Sequence, residues 1–265
     1  MNILKHELKL YFKSTLIWVV SLVVIMLFFT AIYPSFKDSA EAMNKILESF
    51  PDSFKKALGM STMDLSSMLG FFGFMFTYVM LVGGVQAMNL GLSILSNEQR
   101  VKTADFLLAK PVKRIKVLHA KLGAGVIYIL ATNVIFSVST FILLNMMADS
   151  DLSNTILFLF FGSLLMVQLF FFSFGMFVST FMDKLKTVTP ISLGAVFGFF
   201  IVYMLNESLD GTPLSAFTPF AYFKPTYIYE HVAYDGRWLI LNAVLVVGFT
   251  VGAYVKYIKK DIPSV

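Results

Sequence analysis

The chain has 265 residues, of which 57% are hydrophobic and 14% charged, with no cysteine and a net charge of +5. Soluble domains carry about 25% charged residues, so this composition excludes a disordered chain, a disulfide-stapled secreted domain and an ordinary soluble enzyme. Twenty-nine Phe and 15 Met suit lipid as a solvent, and the reading is an integral membrane protein.

A helix that crosses a bilayer needs about 20 mostly apolar residues. Six stretches qualify, at 16–33, 68–95, 122–147, 156–182, 188–205 and 239–255. Backbone groups in hydrocarbon must be satisfied within their own segment, so all six are predicted helical and the fold all-α and polytopic. The three longest runs exceed the bilayer at about 1.5 Å per residue, which predicts tilt or projection beyond it.

Ahead of the first span, residues 1–15 set Leu4, Leu8, Tyr11 and Phe12 on one helical face and Lys5, Lys9 and Lys13 beside it. That is the pattern of a basic amphipathic helix in the membrane interface, acting as an anchor or as a lever on the first span. The first run is too long for a signal-peptide core and follows Glu7, so it is kept as a span. Pro34 is expected to close it. The outer segment 34–67 then offers short amphipathic helices at Met43–Phe50 and Phe54–Leu58, parted by Pro51 and stopped by Gly59, as a cap on the outer face. In the second span Gly70, Gly73, Gly83 and Gly84 make a small-residue face for close helix packing.

Residues 96–121 are strongly basic, yet their centre, Phe106 to Ala109, is apolar. Acidic lipid headgroups account for the charge but not for the Phe-Leu-Leu cluster, which needs a partner to cover it. Thr103 or Asp105 is placed to cap a short helix there, and Pro111 ends it. The outer segment 206–238 is aromatic, with Phe217, Phe220, Tyr222, Phe223, Tyr227, Tyr229 and Tyr234 ahead of Trp238. Pro213, Pro219 and Pro225 forbid one continuous helix, so a re-entrant or interfacial hairpin is expected, both aromatic belt and lid over an exit path.

Six spans put both termini on one side. That side carries fifteen basic residues against five acidic, and the other six against eleven. The positive-inside rule therefore places both termini in the cytoplasm, and the basic balance speaks of membrane orientation rather than nucleic acid.

Catalytic equipment is missing from the sequence. There is no H-E-x-x-H, no G-x-S-x-G and no G-x-x-x-x-G-K-[ST], while His6, His119 and His231 lie on separate segments. No metal site, catalytic residue or cofactor is assigned to this chain. The spans lack mid-membrane charges of the kind proton-coupled carriers use. Their polar residues, Gln86, Asn89, Asn133, Gln168 and Asn242, are expected to hydrogen-bond between helices. A mover with no engine of its own and a docking loop on the inside implies a separate ATPase.

The stretch from Glu98 to Thr103, then Leu107-Leu108-Ala109-Lys110-Pro111-Val112 and Arg114 to Lys121, resembles the coupling loop of type-2 ABC exporter permeases, with Lys102 where that pattern commonly has Gly. Phe217-Thr218-Pro219-Phe220 with Tyr222-Phe223 is similar to the family's aromatic element before the last span, and Phe50-Pro51 to Leu58-Gly59 to an outer-loop element. The resemblance implies a transmembrane subunit that pairs with a second permease, each docked on an ABC ATPase subunit that holds ATP and Mg, in a bacterial cytoplasmic membrane. It implies ATPase coupling through Glu98, Arg100, Thr103, Phe106, Leu107, Leu108, Lys110, Pro111 and Arg114. It further implies a translocation path along Phe71, Phe74, Met75, Tyr78, Phe197, Phe200 and Tyr203, under an outer lid of Phe217, Pro219, Phe220, Tyr222 and Phe223. A wall rich in Met and Phe suits an amphipathic or hydrophobic cargo such as a peptide, antimicrobial or drug. The alternatives are a self-sufficient channel or facilitator and, behind it, an intramembrane hydrolase.

Overall fold

A backbone dissolved in hydrocarbon has no water to bond to, and each apolar run of this chain answers by closing its own hydrogen bonds in a helix. The computed structural model describes residues 3–39, 49–59, 63–100, 114–147, 152–182, 187–209 and 213–259, the side chains of 98–100 and 213 excepted. In chain order the helices are α1 (Ile3–Asp38), α2 (Asp52–Ala57), α3 (Met68–Arg100), α4 (Arg114–Met147), α5 (Asn154–Ser179) and α6 (Thr189–Ser208). A 3-10 turn (Pro213–Phe217), α7 (Pro219–Tyr222), α8 (Pro225–His231) and α9 (Gly236–Lys259) complete them. Among the described residues there is no strand, and six helices (α1, α3, α4, α5, α6 and α9) are long and apolar enough to cross a membrane.

The helices overrun the apolar stretches that announce them. The expected interfacial segment 1–15 and the first span are one continuous helix of 36 residues, and Pro34 lies inside it rather than at its end. No Gly or Pro interrupts residues 3–33, and a change from polar to apolar side chains does not by itself break a helix. Pro34 removes a single backbone bond, and the helix continues past it to Asp38. For the same reason α3 runs on to Arg100 and α4 starts at Arg114, both inside the segment read as a loop. The expected Met43–Phe50 helix lies outside the described residues. The one after Pro51 is α2, closed by Leu58 and by Gly59, whose φ of +75° is a left-handed stop that favours glycine.

α3 is the hub. Its most apolar stretch is 78% buried inside the protein, against 11% for α9 at the rim. α3 packs chiefly on α5, while α1 and α4 pair on one side and α6 and α9 flank the other. Fully buried Phe72, Phe76, Phe160, Phe171 and Phe172 fill the centre, with Phe76 stacked on Phe160 at 5.3 Å between ring centres. Glycine sets how near the two central helices come. A Cβ on Gly91 would strike the Phe172 carbonyl, and one on Gly175 would lie 2.7 Å from the Met88 carbonyl. Of the predicted small-residue face, Gly73, Gly83 and Gly84 meet Phe160, Leu164 and Phe171 of α5, whereas Gly70 faces the Asp64 carbonyl of the preceding segment rather than another span. Gly248 in α9 has nothing within 4 Å.

This contrast is testable. Gly91→Ala should destabilise the fold by about 1–3 kcal/mol or more, the cost of overpacking a tight core, whereas Gly248→Ala should be neutral or slightly stabilising. Unfolding in mixed micelles followed by Trp fluorescence separates the two.

Candidate functional site

Three groups of residues were singled out by the sequence, and the structure treats them differently. Of the coupling set, Thr103, Phe106, Leu107, Leu108, Lys110 and Pro111 lie outside the described residues, and so do the side chains of Glu98 and Arg100 on the last turn of α3. Arg114 opens α4 and donates from Nη1 to the Ile258 carbonyl at 3.4 Å, setting a cation at the carbonyl end of α9.

Just behind these ends is a feature that the sequence reading missed. Lys121, counted there as a loop charge, is wholly buried; its Nζ lies 3.2 Å from Oε1 of Glu7, itself only 3% exposed, and donates to the Ile94 carbonyl at 2.6 Å. The Tyr11 hydroxyl donates to the Ser93 carbonyl at 3.0 Å, and that of Tyr128 to the Leu8 carbonyl. The first turns of α1 are thus bonded to both α3 and α4. Glu7 standing alone among Lys5, Lys9 and Lys13 was the available signal.

In mid-membrane the polar residues do bond between helices. Gln86 of α3 donates to the Thr132 hydroxyl of α4 at 2.8 Å, Gln168 of α5 donates to the Gln86 carbonyl oxygen at 3.1 Å, and the Asn133 amide donates to Gln168. Farther out from this centre Asn89 reaches Thr189 of α6, and Asn242 of α9 reaches the Met166 carbonyl of α5, each at 3.4 Å. Between α1 and α3 a cavity of about 20 Å³ is lined by Tyr11, Ser14, Thr15, Trp18, Gln86, Asn89, Leu90 and Ser93, room for one water.

Of the residues expected along a path, Phe74, Met75, Tyr78, Phe200 and Tyr203 are linked by contacts, while Phe71 and Phe197 depart from them. Tyr78, Phe200 and Tyr203 come together, with Phe200 at 6.2 Å from Tyr78 and 5.8 Å from Tyr203 between ring centres. Phe71 turns to α1, packing on Tyr33 and Phe36 at 5.4 and 5.1 Å. Phe74 meets Tyr78 edge-on at 5.6 Å and packs with Met63 and Leu65 of the 34–67 segment, with Met75 half-buried against that group. Phe197 is exposed on the outer surface of α6.

The aromatic element before the last span is bound into this region. Phe220 is fully buried and reaches Phe171, Phe200 and Tyr203, the first two at 5.4 Å and the third at 6.3 Å. Pro219, Tyr222 and Phe223 are buried with it, whereas Phe217 is exposed. Thr218 donates to the Phe199 carbonyl at 2.9 Å, and Tyr222 to the Ala216 carbonyl at 2.6 Å while stacking on Trp238. Burial pushes the Tyr222 phenol up to about 12. Lys224 forms an ion pair with Glu207 at the end of α6.

Gln168 joins the other two helices of the amide network, so Gln168→Leu leaves buried amides of Gln86 and Asn133 without that partner. A loss of about 1–3 kcal/mol is expected, the cost of stranding such groups, and a double-mutant cycle with Gln86→Leu should recover part of it. Reversible unfolding in bicelles supplies the measurement.

No cluster of His, Asp or Glu among the described residues is arranged to hold a metal ion. Comparison with the curated proteins gives no match. The family model described as ABC-2 family transporter protein matches residues 1–233. That span takes in five of the six candidate membrane helices, the segment joining α3 and α4, and the buried aromatic element around Phe220. The chain therefore belongs to the ABC-2 transporter family, as a transmembrane component of an ABC transporter.

Proposed function

We propose that the chain is the permease subunit of an ATP-driven exporter, moving an amphipathic or hydrophobic peptide, antimicrobial or drug outward across a bacterial cytoplasmic membrane. The observation that carries this reading is the family membership. The apolar Phe106–Ala109 patch in the segment joining α3 to α4 supports docking of an ABC ATPase there. ATP and Mg belong to that partner. Both termini face the cytoplasm in this reading, on the strength of the basic residues on their side.

A second permease subunit completes the complex. On α6, Gly194 and Gly198 stand four residues apart with nothing within 4 Å, beside exposed Leu193, Phe197 and Ile201. A G-x-x-x-G pair lets two membrane helices approach backbone to backbone. Phe197 then belongs to the surface between two copies. The cargo route runs between the subunits and opens outward when the ATPases close and tilt the spans. Phe200, Tyr203 and Phe220 form its outer closure.

Two experiments test the reading. With its ABC ATPase partner, Leu107→Asp should weaken association at least tenfold, about 1.4 kcal/mol, and abolish ATP-driven cargo uptake into inverted vesicles. Unchanged association and uptake would overturn the docking assignment. Gly194→Leu combined with Gly198→Leu should turn dimers in nanodiscs into monomers, read by mass photometry, without loss of helicity.

A further inference from the structure

We infer that Glu7 and Lys121 are positioning residues of the coupling step, a buried ionic joint that makes α1 the rod carrying displacement of the 101–113 segment across the membrane. This inference rests on the coupling reading above and adds the residues that transmit it.

The argument begins with cost. Taking two charges out of water is unfavourable, and apolar side chains of similar size usually stabilise such a place as well or better. A buried pair is therefore a poor device for stability alone. What it provides is direction, because an ammonium with fixed acceptors tolerates little sliding of the helices that bear them. Lys121 sits about two turns inside α4, and Ile94 about two turns before the end of α3. Its Nζ thus ties together the two helices that flank the 101–113 segment, and Glu7 adds α1 to the knot at 3.2 Å. A little deeper, Tyr128 to Leu8 repeats the link between α4 and α1, and Tyr11 to Ser93 ties α1 directly to α3. A push on the segment moves the ends of α3 and α4 together, and α1 has to follow.

α1 is built to pass that movement on. It runs unbroken from Ile3 to Asp38, and its far end is bonded again at the outer face. There the Tyr33 hydroxyl donates to the Ser66 carbonyl at 2.8 Å, and Tyr33 and Phe36 grip Phe71. The outer end of α3 is thereby held by the same helix whose inner end carries Glu7.

The absence of native cysteine gives clean spin labelling. With labels at Lys9→Cys and Lys116→Cys, both exposed, the chain alone in nanodiscs should give a narrow interspin distribution. Glu7→Gln, Lys121→Met and the double variant Glu7→Met/Lys121→Met should each broaden it at least twofold, although the double variant melts no lower than the parent. Parent-like width in the double variant overturns the joint. A second label pair, Asp38→Cys with Leu209→Cys on the exposed outer ends, reads transmission. In the complex with the ATPase, ATP should shift this distance in the parent, and the shift should be lost in the double variant while ATPase affinity is unchanged. An equal shift in both overturns the inference. No shift in the parent instead sinks the coupling reading itself, and the measurement on the chain alone then decides whether the joint exists.

Discussion

The bundle depends on the contact of α3 with α5, which is made backbone to backbone. Inside lipid, helices gain nothing by hiding apolar side chains from one another, since the solvent is equally apolar. What remains is close packing and a few polar bonds, and both are concentrated here. Gly91 and Gly175 remove the side chains that would keep the two helices apart. Once they are in contact, Gln86 and Gln168 come within hydrogen-bonding reach, and Thr132 and Asn133 bring α4 into the same network. The Phe-rich layers around Phe76 and Phe160 fill the space above that polar centre.

The two ends of the bundle are held by different chemistry. At the end where α3 stops and α4 starts, charge and carbonyl oxygens do the joining, through Lys121, Glu7, Ile94 and the Arg114 contact to α9. At the other, aromatic rings interlock around Phe220 beside hydroxyl-to-carbonyl bonds from Tyr33, Thr218 and Tyr222, with ion pairs such as Lys224–Glu207 at the edge. Ring packing is broad and rearranges in small steps, whereas an ionic contact with a fixed carbonyl is directional.

The spans were legible because lipid imposes one rule on every run of side chains that it touches. The interhelical role of Gln86, Asn133 and Gln168 followed from the same rule, as amides in hydrocarbon must find partners. Helix ends were harder. Hydropathy reports where lipid is, not where a helix stops, so residues 96–100 and 114–121 read as loop although they continue α3 and α4. Pro34 misled in the same manner, because its lost bond is small beside the many that hold a 36-residue helix. The aromatic path residues share one composition, but their directions depend on helix rotation, which sends Phe71 to α1 and Phe197 outward. Lys121 was least legible, since a lysine at the end of an apolar run looks the same whether it reaches for water or for a carboxylate.

That lysine also bears on how the protein is made. Glu7 leaves the ribosome long before Lys121, and chains emerge from the N-terminus at about 5–20 residues per second. For that interval the newly inserted first helix has an acidic group with no cation to meet it in the place where the finished protein buries one. The contact with Lys121 can form only once the third span has been made and brings the counter-charge. The pair therefore imposes an order of events on biogenesis, in which the earliest helix is the one that must wait.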